Sequence, residues 1–136
     1  MKIGELAKMT GCTVQAIRHY EKQQLLGANR RSEGNFRLFD PSAVDRLLFI
    51  KYCRSLDLTV SEIRQLLELN RFPGTHCDHA NQLIDRHIRQ IECRIGELNE
   101  LLRQLKSIRS RCSSDRTVAH CGILQQLSEG SNATED

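Results

Sequence analysis

Tryptophan is absent from the 136 residues, and aromatic side chains make up only 4% of them. A β-sandwich draws its core from β-branched and aromatic residues, so this scarcity argues against one and for a helical protein with an aliphatic core. Long apolar runs are missing as well. The longest uncharged one is Leu47-Leu48-Phe49-Ile50, against the roughly 20 residues that cross a bilayer as a helix. The opening Met1-Lys2-Ile3-Gly4-Glu5 has no apolar signal-peptide core. The expectation is a soluble, non-secreted, cytoplasmic chain with no membrane partner. Six cysteines in such a reducing compartment read as thiols or metal ligands, not as three disulfides.

Proline is scarce too, and its two occurrences mark breaks. Asp40-Pro41 reads as an N-cap followed by proline at the first helical position. Pro73-Gly74 reads as a linker after a helix end. Between them, Thr59-Val60-Ser61-Glu62 is a capping box that opens a short helix through Leu69. The front half is predicted as helices near 3–9, 13–23, 41–56 and 60–69. The turn signal Ser32-Glu33-Gly34-Asn35 and the alternation Phe36-Arg37-Leu38-Phe39 predict a small β-hairpin within Gly27–Phe39.

From Asp78 to Ser110 there is no proline and one glycine. Apolar residues fall at Leu83, Ile84, Ile88, Ile91, Ile95, Leu98, Leu101, Leu102, Leu105 and Ile108, at intervals of three and four. That is one sustained helical stripe, about 50 Å long at about 1.5 Å per residue. The chain has no second long helix to cover it. The partner expected is the same helix of another copy, giving a homodimeric coiled coil. The last segment reads as a loop, a short helix over Ile123–Leu127 and a polar tail.

Charge is uneven. Residues 1–54 carry ten Lys and Arg against five Asp and Glu, whereas residues 55–136 carry ten against twelve. A basic front and a near-neutral rear suggest a polyanion on one side. Residues 3–23 read as a helix–turn–helix. Ile3, Leu6 and Ala7 face inward from the first helix, Gly11-Cys12 makes the turn, and Thr13 caps the second helix. Gln15, Arg18 and His19 then face outward, where a recognition helix enters a major groove. Arg can pair bidentately with guanine and Gln with adenine.

The strings Ile3-Gly4-Glu5-Leu6-Ala7, Thr13…Ile17-Arg18-His19-Tyr20-Glu21…Leu25-Leu26 and Arg31…Gly34-Asn35-Phe36-Arg37-Leu38-Phe39 closely resemble the MerR family of transcription regulators. The resemblance runs over roughly residues 1–128. It implies a mainly α protein: a winged helix–turn–helix, then a long antiparallel coiled-coil dimerisation helix and a metal-binding loop. The corresponding divisions are 1–72, 75–110 and 111–136. It also implies that Arg18, Tyr20, Arg31, Asn35, Phe36 and Arg37 belong to the DNA-binding surface and that Arg54 meets a phosphate. Bacterial promoter DNA and RNA polymerase are the implied partners. Three features depart from the usual pattern. His19 stands where an aromatic residue is common, Gln24 replaces a helix-ending glycine, and Phe36 and Phe39 replace frequent tyrosines. A positive φ at Gln24 would cost on the order of 1 kcal/mol.

The cysteines supply the effector chemistry. Thr75-His76-Cys77-Asp78 reads as a capping box that puts Cys77 in the first turn of the long helix. Cys112 lies at the far end, and Cys121 follows across Ser113–His120, a loop that can wrap an ion. Cys77 and Cys112 are separated by a helix of about 50 Å, too far to share an ion within one chain. In an antiparallel dimer the start of one long helix lies beside the end of the other. Cys77 of one subunit then meets Cys112 and Cys121 of the partner subunit, the arrangement the resemblance also implies. Three thiolates select a thiophilic ion. The monovalent-ion sensors of the family lack a thiol at the position of Cys77, which points to a divalent ion. Cys121-Gly122-Ile123-Leu124-Gln125-Gln126-Leu127 resembles the end of the lead- and cadmium-responsive branch. Pb(II) is ranked first, then Cd(II), then Zn(II) and Hg(II). Zn(II) would seek a fourth ligand, with His76, His79 and His120 at hand.

Cys12, Cys53 and Cys93 are isolated and read as small hydrophobes. The rivals are a thiol redox sensor on the same scaffold and a metal-buffering protein without a DNA role. No nucleophile–base–orienter set points to an enzyme.

Overall fold

The computed structural model describes residues 1–27, 30–31 and 37–133. In chain order its elements are α1 (Ile3–Thr10), α2 (Val14–Lys22), β1 (Arg30–Arg31), β2 (Arg37–Leu38), α3 (Ser42–Ser55), α4 (Val60–Leu69), α5 (Asp78–Arg109) and α6 (Gly122–Ala133). The chain divides into two compact units, Met1–Ile84 and Asp85–Asp136. No helix among the described residues is long and apolar enough to cross a membrane.

The first unit folds around an aliphatic core, as the scarcity of aromatics requires. Leu6 of α1, Ile17 of α2, Leu47 and Ile50 of α3 and Ile63 of α4 are fully buried, with Leu25 and Leu58 beside them. Leu83, at the start of α5, completes this core at 3% exposure. Phe39 is also a core residue. Its lack of a hydroxyl is therefore explained by packing, since a buried phenol would need a hydrogen-bond partner.

The turns follow from backbone chemistry. Gly11 ends α1 in the left-handed region, at φ 70, and its N–H donates to the Ala7 carbonyl at 2.9 Å. The buried Thr10 hydroxyl donates to the Leu6 carbonyl (2.8 Å) and accepts from the Cys12 N–H (3.3 Å). Lys51 of α3 donates to the Thr10 carbonyl at 3.1 Å, tying the helix–turn–helix to the next helix. Pro41 has helical dihedrals (φ −54, ψ −30), and α3 starts just after it. The expected capping box opens α4: Thr59 Oγ1 accepts from the Glu62 N–H (3.1 Å), and Glu62 Oε1 accepts from the Thr59 N–H (2.8 Å).

The expected hairpin is an antiparallel ribbon in which Arg30 pairs with Leu38 and Arg31 with Arg37. An isolated bridge from Lys2 to Leu38 joins it to the start of the chain, and the Phe39 N–H donates to the Met1 carbonyl at 2.7 Å. The turn residues Ser32–Asn35, and Phe36, lie outside the described residues.

Two boundaries differ from the sequence reading. The capping box expected at Thr75 does not open α5. The Asn81 N–H donates to the Cys77 carbonyl at 2.9 Å, so Cys77 rather than Thr75 occupies the N-cap position. The other difference is α6, which continues past Leu127 to Ala133.

In the second unit the chain's own described residues leave the apolar stripe of α5 uncovered. Ile88, Ile95, Leu98, Leu101, Leu102 and Leu105 are 47–63% exposed. Burying one such side chain is worth about 1.5–3 kcal/mol, so this face favours association strongly.

Candidate functional site

The DNA-facing candidates sit on α2 and on the ribbon. Thr13 caps α2, its hydroxyl accepting from the Ala16 N–H at 3.0 Å. This cap sets the start of the helix, and Ile17 anchors its inner face in the core. Gln15, Arg18 and His19 are then exposed on the outer face, while Tyr20 is half-buried against the core, its ring 5.8 Å from that of His19. Arg31 and Arg37 are directly opposed across the ribbon. Asn35 and Phe36 lie outside the described residues. The exposed Arg54 donates through Nη1 to the Leu58 carbonyl at 2.7 Å, bracing the turn between α3 and α4.

The end of the recognition helix shows features the motif reading did not find. The Leu25 N–H donates to the Tyr20 carbonyl and the Gln24 N–H to the Glu21 carbonyl, both at 3.0 Å. This is a Schellman closure, which puts its C′ residue in the left-handed region. Gln24 has φ 62, as its replacement of a glycine foreshadowed. Arg46 Nε donates to the Leu25 carbonyl at 2.6 Å, and the Arg64 guanidinium donates to the Gln23 carbonyl. Two arginines from α3 and α4 thus hold both sides of the strained residue.

The thiol chemistry gathers in the second unit. After α5 ends at Arg109, the chain reverses and re-enters helix at Gly122. Cys112 and Cys121 stand at the two ends of this reversal. The Cys112 backbone is held by Arg109, whose Nη1 donates to its carbonyl at 2.9 Å. The Cys112 thiol donates to the Ser113 carbonyl at 3.4 Å. Within the loop the Arg116 N–H donates to the Ser113 carbonyl (3.3 Å), and a single turn of 3₁₀ helix over Val118–His120 delivers Cys121. The Ser113 hydroxyl donates to the Asp115 carboxylate, and this bond and the residue's own backbone N–H hold the Asp115 pKa down.

Cys121 has extended dihedrals (φ −74, ψ 114), and its carbonyl accepts from the Gln125 N–H at 3.1 Å. It is therefore the N-cap of α6, with sulfur where Ser or Asp usually sits. The Leu124 N–H is the largest influence holding the Cys121 thiol below its ordinary pKa. Desolvation opposes it, while the Cys112 side chain, the Ile123 N–H and the Arg116 charge act in the same direction as Leu124. Cys53, buried in the core, is pushed the other way by desolvation. Two sulfurs thus approach each other at the loop ends, one favoured as thiolate, and this donor set fits a soft metal ion. No group of three His, Cys, Asp or Glu that could hold a metal occurs among the described residues. Cys77 is exposed and belongs to the first unit. Cys12 is half-buried and Cys93 exposed on α5.

Comparison with known proteins matches this arrangement to a family. The family described as MerR HTH family regulatory protein matches residues 1–70, just over half of the chain, and that described as MerR, DNA binding matches residues 44–108. The HTH-type transcriptional regulator ZntR homolog of Haemophilus influenzae is 42% identical over 115 residues, 85% of each chain. The crystal structure of the transcription regulator PbrR691 from Ralstonia metallidurans CH34 in complex with lead(II) is 49% identical. It superposes with a TM-score of 0.85 over 93% of this chain and 98% of that one. The dual-function regulator MerR from Bacillus megaterium MB1 in complex with mercury(II) is 28% identical, with a TM-score of 0.68 over 94% of this chain and 99% of that one. The helix–turn–helix and the long α5 are therefore those of a metal-responsive transcription regulator, and the chain belongs to the MerR family.

Proposed function

We propose that this regulator senses a thiophilic divalent ion, Pb(II) before Cd(II) and then Zn(II) or Hg(II), and activates a metal-resistance promoter. The observation that carries this is the convergence of Cys112 and Cys121 at the ends of one loop, with Cys121 favoured as thiolate. The high identity to a lead-bound regulator supports the ranking. Cys77 of one subunit joins Cys112 and Cys121 of the partner subunit in a cytoplasmic homodimer whose α5 helices pair antiparallel through their apolar stripes. The functional divisions are 1–72 for DNA binding, 75–110 for dimerisation and 111–136 for metal binding.

When bound, the ion would supply a soft Lewis acid that links sulfurs of two chains. The protein's own groups do the rest. The first turn of α6 holds the Cys121 sulfur, and Arg109 fixes the Cys112 backbone. On DNA, Gln15, Arg18 and His19 read base edges from α2. Tyr20, Arg31, Asn35, Phe36, Arg37 and Arg54 serve the backbone and the wing. The dimer holds two half-sites at the separation set by α5. Its two conformations distort the promoter spacer differently, and RNA polymerase engages the distorted form. A coupling of about 1–3 kcal/mol is enough to bias such a switch.

The test uses mixed dimers. Fully reduced apoprotein is titrated with Pb(II), and the thiolate-to-metal absorption band is recorded for Cys77→Ser, for Cys112→Ser and for a subunit-exchanged mixture of the two. Both variants should lose or weaken the band. The heterodimer should regain it, because one of its ends keeps all three sulfurs. A mixture no better than its parents overturns the inter-subunit site. Zn(II) outcompeting Pb(II) overturns the ranking and points to a fourth ligand. The same pair of sulfurs also suits a redox sensor, and rapid Cys112–Cys121 oxidation without tight metal binding would establish that reading.

A further inference from the structure

Gly122 differs from the other described glycines. A Cβ built on Gly122 would lie 2.2 Å from the Arg111 carbonyl oxygen, 3.0 Å from its carbonyl carbon and 3.1 Å from its Cβ. At Gly4, Gly27, Gly74, Gly96 and Gly130 an added Cβ meets nothing within 4 Å. At Gly11 it meets only the end of the flexible Lys51 side chain. Gly122 also has no positive φ, which among the described glycines occurs only at Gly11. Its need is for space, against a backbone rather than a side chain.

That contact lies at the neck of the loop. Arg111 directly precedes Cys112, and Gly122 directly follows Cys121, so the backbone approach of 111 to 122 sets how close the two sulfurs come. Neither side is free to retreat. The Arg111 N–H donates to the Ile108 carbonyl at 3.0 Å, and Arg109 grips the next carbonyl, that of Cys112. On the other side the Gln125 N–H holds the Cys121 carbonyl at 3.1 Å.

We propose that Gly122 is a positioning residue of the metal loop: its missing side chain lets the neck close far enough for Cys112 and Cys121 to share one ion. This rests on the metal-sensing reading above. An alanine would have to open the neck by at least about 0.8 Å, the gap between 2.2 Å and the 3.0 Å below which a Cβ contact forces something to shift. Metal–ligand distances tolerate only about ±0.2 Å. An opening that large therefore separates the sulfurs beyond what one ion can bridge without rebuilding the loop. Groups that orient metal ligands without touching the metal typically carry about 10–100-fold in affinity, and the same loss is expected here.

The experiment compares wild type, Gly122→Ala and Gly130→Ala as full-length dimers. Gly130→Ala makes the same chemical change in the same helix where there is room for it. One readout is the affinity for Pb(II) from the thiolate-to-metal band. The other needs no metal: the rate at which apoprotein forms the Cys112–Cys121 disulfide in a glutathione buffer, quantified by peptide mass spectrometry. Disulfide formation requires Cα atoms within about 7 Å, so it reports the neck directly. Gly122→Ala should lose roughly 10–100-fold in Pb(II) affinity and form the disulfide at least about tenfold more slowly, while apo operator binding stays at wild-type strength. Gly130→Ala should match wild type throughout. A Gly122→Ala protein with wild-type Pb(II) affinity and crosslinking overturns the assignment. One that also loses operator binding acts on the whole fold, and that overturns a local role equally. If wild type itself binds no thiophilic ion, the metal-sensing reading fails. Slower crosslinking in Gly122→Ala alone would then still show Gly122 setting the neck.

Discussion

Replacing Gln24 by glycine is expected to stabilise the first unit. The Schellman closure of α2 requires a left-handed residue, and Gln24 supplies it at φ 62. A residue with a Cβ is disfavoured there by about 1–2 kcal/mol. Glycine removes that strain but loses about 0.5–1 kcal/mol more in backbone entropy on folding. The difference is a net gain of about 0–1.5 kcal/mol. The Gln24 side chain is exposed, so its loss sacrifices little packing. Arg46 and Arg64 hold the carbonyls of Leu25 and Gln23, which keeps the turn in place in every variant. Gln24→Ala retains the strain and should stay within about 0.5 kcal/mol of wild type. Gln24→Val should fall below it, because a β-branched residue at positive φ is a conformational outlier. The assay is urea unfolding followed by helical circular dichroism at one fixed protein concentration, since association feeds into apparent stability. A glycine variant with a lower midpoint and an unchanged m-value would refute the reasoning.

Two further outcomes can be checked in the same material. Thr59→Ala removes the acceptor for the Glu62 N–H and should destabilise by about 1 kcal/mol. A loss below about 0.3 kcal/mol in the same unfolding assay would mean that water replaces the cap fully. In reduced apoprotein at pH 7, iodoacetamide should modify Cys121 before Cys53. The Cys121 pKa lies below the ordinary 9.0, so more of it is thiolate, whereas burial both raises the Cys53 pKa and shields it. As pH falls from 8 to 6, the Cys121 rate should also fall less steeply than that of a thiol with an ordinary pKa, because its thiolate persists to lower pH. Mass spectrometry of timed samples gives the order, and prior labelling of Cys53 would contradict it.

The chain order of elements was legible from local signals. Apolar spacing at three and four residues marks α1, α2 and α5, the Thr59–Glu62 box marks α4, and proline with helical dihedrals marks the start of α3. These are properties of neighbours within one or two turns, so the sequence alone carries them. The candidate ligands were legible for a similar reason. Thiols at positions 112 and 121 bracket one short loop, and a 32-residue helix separates Cys77 from them along the chain. The scarcity of aromatics likewise foretold the aliphatic core.

What the sequence could not carry depends on groups distant along the chain or on backbone geometry. Phe39 reads as part of the wing pattern but packs in the core, because its place is decided by α-helices on either side of it in sequence. The arginines at 46 and 64 look like surface charge until the fold brings them to carbonyls at positions 25 and 23. The largest cause of the lowered Cys121 pKa, the Leu124 N–H, reaches its sulfur because the helix it caps starts where it does, and Ile123 adds to it. Gly122 is one glycine among eight in the sequence. Only the close passage of the Arg111 carbonyl distinguishes it, since steric exclusion between two backbones appears nowhere in a one-dimensional pattern.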